Sequence, residues 1–137
     1  MSTTFTSLLA ALLLMSQLPA IWAADAGASD AKPRKIQTEE FDRLRTKPNH
    51  LILDVRTPEE FKAGHVKDAV NLNIQDPAFA QKVSALDRSK TYLIHCARGG
   101  RSAKATDQLV KAGLTNVLDF TGGFEAWKKA GKPVTKE

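Results

Sequence analysis

The chain is predicted to be a single α/β domain built on a mainly parallel sheet. Two observations carry that expectation. Short apolar runs alternate along the sequence with segments of helical pattern. The runs are also continuous instead of alternating with polar residues, as in strands covered by helices on both faces. Length agrees: 137 residues, 42% of them hydrophobic, suit one domain with one sheet.

Taken in order, residues 1–24 stand apart. An apolar stretch from Leu8 to Met15 is followed by small residues at Ala20, Ala23, Ala24 and Ala26, and no charged side chain precedes Asp25. That pattern predicts a signal peptide cleaved between 23 and 26, and hence export, most naturally to a periplasm. The apolar run is short for a membrane span; an uncleaved anchor is the alternative. Residues 25–34 are small, polar and proline-containing and read as a flexible lead-in. The domain proper is expected over 35–137.

Thr38 to Lys47 reads as a helix with acids in its first turn and Pro48 as its stop. Leu51 to Val55 is a short apolar strand carrying Asp54. Thr57-Pro58-Glu59-Glu60 is a helix start: Thr57 as N-cap, Pro58 in the first helical position and Glu60 closing a capping box. Gly64 ends that helix. Ala69 to Leu72 is a weaker strand, and Asp76-Pro77 opens a short helix through Leu86. Tyr92 to His95 is a buried strand, and Ser102 to Gly113 the helix after it. Val117 to Phe120 is a further strand. Gly122-Gly123-Phe124-Glu125-Ala126-Trp127 turns into a last helix that ends near Gly131.

Composition narrows the function. The net charge is +5, yet acids and bases are interleaved, with neither a basic block nor a basic-aromatic stripe. Nucleic acid is therefore not an expected partner. One cysteine and three scattered histidines make no zinc-ligand pattern, so no metal is expected. An exported chain with one cysteine has no internal disulfide, which leaves that thiol reactive or intermolecular.

The cysteine is placed for reactivity. Cys96 ends a strand, and Ala97-Arg98-Gly99-Gly100-Arg101-Ser102 carries the chain into a helix N-terminus. Backbone N–H groups and the helix dipole converge on such a spot. From Cys96 to Thr106 there are three cations, Arg98, Arg101 and Lys104, and no acid. Such surroundings lower a thiol pKa, and the thiolate is the nucleophile. His95 is adjacent, but neighbours on a strand point to opposite faces, so it is not expected to act as base. In open α/β sheets, ligands bind beyond the carboxyl ends of the strands, where Asp54 and Arg56 also lie.

These residues resemble a known family. Leu53-Asp54-Val55-Arg56-Thr57-Pro58-Glu59-Glu60-Phe61 with Gly64-His65-Val66-Lys67-Asp68-Ala69-Val70-Asn71 is similar to the first signature of rhodanese domains. Cys96 to Ser102 resembles their active loop, and Gly122 to Trp127 their closing motif. The resemblance implies a three-layer domain, a five-stranded, mainly parallel sheet between helices. It also implies a sulfurtransferase that stores a sulfane sulfur as a persulfide on Cys96, with thiosulfate or a similar small anion as donor and cyanide or a thiol as acceptor. No organic cofactor or metal is implied.

Loop length separates this chemistry from its neighbours. The loop from Cys96 to Arg101 has six residues, as in rhodaneses; the related phosphatases and arsenate reductases have seven, ending in arginine, and the seventh residue here is Ser102. The alternatives are a persulfide carrier or docking module for a partner protein, and, less favoured by the loop, a phosphatase or arsenate reductase. The expected site is Cys96 as nucleophile, Arg101 and Arg98 for the anion, and the backbone of Ala97, Gly99, Gly100 and Ser102 as its cradle. Asp54 and Arg56 are expected to brace the loop as an ion pair. His65, Phe124 and Trp127 read as structural.

Overall fold

The structure, a computed structural model, describes residues 32–137. The expected signal peptide and all but the end of the lead-in fall outside the described residues. The elements are β1 (Arg34–Ile36), α1 (Thr38–Leu44), β2 (His50–Asp54), α2 (Pro58–Ala63), β3 (Val70–Asn71), α3 (Phe79–Ser84), β4 (Thr91–His95), α4 (Gly100–Lys111), β5 (Val117–Phe120) and α5 (Gly123–Lys129). The five strands form one sheet in the order β1-β5-β4-β2-β3, and every pair in it is parallel.

β1 is the element that the apolar pattern did not single out. It begins at Arg34, one residue inside the expected lead-in, and only Ile36 of its three residues is buried. An edge strand this short and polar owes its conformation to pairing with β5, in register Arg34 with Leu118 and Ile36 with Phe120. The helices differ from expectation mainly at their ends. α1 stops at Leu44 and α3 covers only Phe79–Ser84, whereas α4 begins at Gly100, two residues early. The capping box of α2 forms as read: Glu60 N–H donates to Thr57 Oγ1, and Glu60 Oε2 accepts from Thr57 N–H.

Side chains alternate across the sheet and fill two layers. Toward α3 and α4 lie Leu53, Val55, Phe79, Val83, Tyr92, Ile94, Cys96, Ala105 and Leu109. Toward α1 and α5 lie Ile36, Phe41, Ile52, Leu93, Phe120, Phe124 and Trp127. Trp127 is fully buried, and its Nε1–H donates to Pro133 O. The strand order places the site. The chain leaves β4 toward β5 on one side and leaves β2 toward β3 on the other. The carboxyl ends of β4 and β2 are therefore the switch point of the sheet, where a crevice opens. Cys96 follows one strand there; Arg56 follows the other.

Candidate active site

Cys96 lies at the floor of an open depression of about 480 Å³ lined by Glu60, Ala97, Arg98, Gly100, Arg101 and Glu125. Its side chain is almost covered, at 1% exposure, so only a slim group from above can reach the sulfur. Gly99 N–H donates to Sγ at 3.0 Å. Burial by itself would raise the thiol pKa, but the N–H and hydroxyl of Ser102 and the N–H groups of Gly99 and Arg98 outweigh it. The net direction is down from the ordinary value. Converging amides therefore lower the thiol, whereas the sequence pattern had pointed also to the arginine charges.

The loop holds this shape for identifiable reasons. Gly99 has φ +100°, and a Cβ there would lie 2.4 Å from Thr121 O. From below, the start of α5 ties it down: Phe124 N–H donates to Cys96 O and Glu125 N–H to Ala97 O. Gly123 passes so close, at φ +63°, that a Cβ would lie 2.6 Å from the carbonyl oxygens of both Cys96 and Ala97. With those carbonyls turned toward α5, the amides that follow them face the sulfur.

Arg101 sits in the first turn of α4, not in the loop itself. Its guanidinium meets Glu60 in a two-pronged ion pair, 2.7 and 2.9 Å. Glu60 thus closes the capping box of α2 and also grips α4, and its carboxyl pKa falls to about 2. The Arg101 hydrogen bonds are the main cause, with burial opposing. The mouth therefore carries two carboxylates, Glu60 and Glu125, beside its two arginines, although the loop sequence is free of acids. Glu60 is the site residue that the sequence reading missed. Its capping-box role was visible, but nothing local signals a partner 41 positions away. Arg98 is exposed at the rim.

Asp54 and Arg56 are buried together. Arg56 Nε contacts Asp54 Oδ1 at 2.9 Å, its Nη2 contacts Oδ2 at 2.6 Å, and the same Nη2 donates to Gly64 O. The Arg56 guanidinium lies 4.1 Å from the centre of the Phe124 ring, so this pair braces α2 and α5 at the back of the depression. Asn71 Nδ2–H completes the brace by donating to Asp54 O and Arg56 O. His95 faces the other layer, packed against Phe41, Phe120 and Phe124. Burial pushes its pKa down against the pull of Asp54, which keeps it neutral. No Cys–His dyad exists. His65 stacks on Phe61, with Nδ1 2.8 Å from Phe61 O, as a structural histidine does.

Comparison with known proteins places the same residues in a family. The sequence matches the rhodanese-like domain over residues 37–130. Thiosulfate sulfurtransferase 16, chloroplastic, of Arabidopsis thaliana is 43% identical over 94 residues, covering 61% of this chain and 78% of that protein. Thiosulfate sulfurtransferase 18 of the same plant is 32% identical over 124 residues, covering 80% and 91%. The crystal structure of a rhodanese-related protein from Thermoplasma volcanium superposes with a TM-score of 0.69 at 34% identity, over 76% of this chain and 99% of that one.

Proposed function

Since the chain belongs to the rhodanese-like domain family, we propose that it is a thiosulfate sulfurtransferase working through a persulfide on Cys96. The observation that carries the reading is the sulfur itself, set at the floor of a crevice with backbone N–H groups converging on it. Such donors stabilise a thiolate and, equally, the terminal sulfur of a persulfide. They are fixed before reaction, so no reorganisation is needed when charge arrives.

The Cys96 thiolate attacks the outer sulfur of thiosulfate. A new S–S bond forms as the old one breaks, and sulfite leaves with the bonding pair. Cyanide or a thiolate then takes the outer sulfur and returns Cys96 as thiolate, so one transfer is split into two easier steps. Arg101 orients the sulfonate. Its fork is held by Glu60, which leaves Nε–H and the outward N–H bonds for the substrate. Arg98, exposed on the rim, draws anions toward the opening. The Asp54–Arg56 pair takes no part in the chemistry and keeps the floor rigid.

The test is mass spectrometry of the full chain with thiosulfate, then with cyanide. Cys96 should gain the mass of one sulfur atom and lose it as thiocyanate, and Cys96→Ser should do neither while keeping its circular-dichroism spectrum. Uptake of no sulfur together with hydrolysis of an aryl phosphate would overturn the reading. Sulfur accepted only from another protein's persulfide, and never from thiosulfate, would favour a carrier role instead. We also propose that the chain is exported, on the strength of its N-terminal pattern.

A further inference from the structure

The ring of His95 is fully buried, with Phe41 of α1, Phe120 of β5 and Phe124 of α5 around it at centroid distances of 5.9, 6.3 and 6.5 Å. Its Nε2 has no hydrogen-bond partner; the nearby carboxylate oxygen, Asp54 Oδ2, lies 3.8 Å away. Asp54 is already engaged by Nε and Nη2 of Arg56. A phenyl ring would fill this space without leaving a buried nitrogen unpaired, which costs free energy. The polar contact that the imidazole does make is at its other nitrogen, where Nδ1 lies 3.0 Å from Cys96 O. A carbonyl oxygen only accepts, so Nδ1 carries the proton, and in the neutral ring Nε2 is a bare acceptor.

That hydrogen bond reaches the site through the backbone. Cys96 O has a second donor, Phe124 N–H, at 2.8 Å. The two donors come from different elements, β4 and α5, and match the two lone pairs of one carbonyl. Fixing that carbonyl fixes the rotation about the Cα–C bond of Cys96. The sulfur lies on one side of that bond. On the other side, two residues beyond, is Gly99, whose N–H donates to Sγ at 3.0 Å. A turn about the bond would swing this amide away from the sulfur.

We propose that His95 is a positioning residue: its Nδ1–H fixes the Cys96 carbonyl and thereby holds the loop amide on the sulfur. The two side chains lie on opposite faces of the sheet, so His95 acts through the main chain and exchanges no proton with the thiol. The contact exists before any charge arrives at the sulfur, which is what a preorganised donor requires.

The inference rests on Cys96 as the reactive sulfur, but its test uses no sulfur donor, so its failure is separate from failure of the transferase reading. Cys96 is the only cysteine in the sequence, so the ultraviolet absorbance of the thiolate reports one group. Full-length wild type, His95→Phe and His95→Asn are titrated, and each is also unfolded in urea. His95→Phe keeps an aromatic ring among the phenyl groups and removes the donor. His95→Asn restores an N–H close to the place of Nδ1 but leaves part of the space empty. Burial keeps His95 neutral, so neither variant changes the charge beside Asp54 and Arg56. A ring that only fills space and a ring that positions the loop therefore predict opposite orders. His95→Phe should raise the thiol midpoint by roughly half a pH unit, about threefold less thiolate below the midpoint. His95→Asn should bring the midpoint back toward wild type, although it is the less stable of the two in urea.

An unchanged midpoint in folded His95→Phe overturns the proposal. So does a midpoint in His95→Asn no lower than that of His95→Phe. Wild type supplies a check that needs no variant. In nitrogen-15 NMR, with the three histidines assigned through their backbone signals, the ring proton of neutral His95 should sit on Nδ1. A proton on Nε2 instead would leave Cys96 O without this donor and overturn the proposal as well.

Discussion

Arg101 and Glu60 show how one contact redistributes the roles of two residues. An arginine in a cationic loop reads as a free anion receptor, yet here its charge is shared with a carboxylate. Arg101→Ala should lower kcat/KM for thiosulfate by roughly one to two orders of magnitude, the worth of a charge-assisted hydrogen bond. Arg101→Lys should recover only part, because a point charge cannot reproduce the fork. Steady-state kinetics check both. Glu60→Gln keeps a capping-box acceptor and removes one negative charge from the mouth. It should lower KM for thiosulfate by about two- to fivefold at low ionic strength, an effect that added salt erases. An unchanged KM would show that the carboxylate does not offset Arg101.

At the scale of elements, the site depends on how α5 and α2 meet the ends of β4 and β2. Gly123 brings the α5 N-terminus under the loop, where its N–H groups engage the carbonyls of Cys96 and Ala97. Gly123→Ala would need a left-handed conformation costing about 1–2 kcal/mol and would press a methyl group onto two carbonyl oxygens. It should destabilise the fold by more than that conformational cost in urea unfolding and slow persulfide formation. Asp54→Asn leaves the Arg56 guanidinium buried without its counter-charge. Removing one partner of such a pair costs about 3–5 kcal/mol, so the urea midpoint should fall well below that of wild type. A shift within experimental error would show that the Asp54–Arg56 brace contributes nothing to the fold.

For the whole molecule, acid stability follows from the carboxylates that the fold pairs. The Glu60 carboxyl has a folded pKa of about 2 against an ordinary 4.5, so its ion pair stabilises above the unfolded value. That contribution is lost as pH falls from about 4.5 toward 2. The pair is half-exposed, so the loss is about 1 kcal/mol or less. Wild type should lose that much more stability than Glu60→Gln across this window, as measured by urea unfolding at fixed pH steps. At the N-terminus, the proposed export predicts that sequencing of the secreted product finds a start between Asp25 and Gly27. An intact Met1 or Ser2 on a membrane-bound product would identify an anchor.

Much of this protein follows from chemistry that acts between near neighbours along the chain. The apolar runs at Leu51–Val55 and Tyr92–His95 bury most of their side chains, and they form the adjacent strands β2 and β4 at the heart of the sheet. Thr57, Pro58 and Glu60 satisfy backbone donors within one turn, so α2 starts where the pattern places it. A cysteine between a strand and a helix start has free amides beside it in the chain, whereas the contacts of α5 with Cys96 O and Ala97 O set how those amides face the sulfur. Tertiary structure decided everything that joins residues far apart along the chain. β1 exists because β5 offers it an edge, since two of its three side chains gain nothing from burial. The mouth of the site is nearly balanced in charge because α2 and α5 carry Glu60 and Glu125 to it. Asp119 reaches Ser102 from 17 positions away. Periodicity and capping act over a few residues, whereas an ion pair or a long-range hydrogen bond depends on where the sheet order sets whole elements, which no short stretch of sequence encodes.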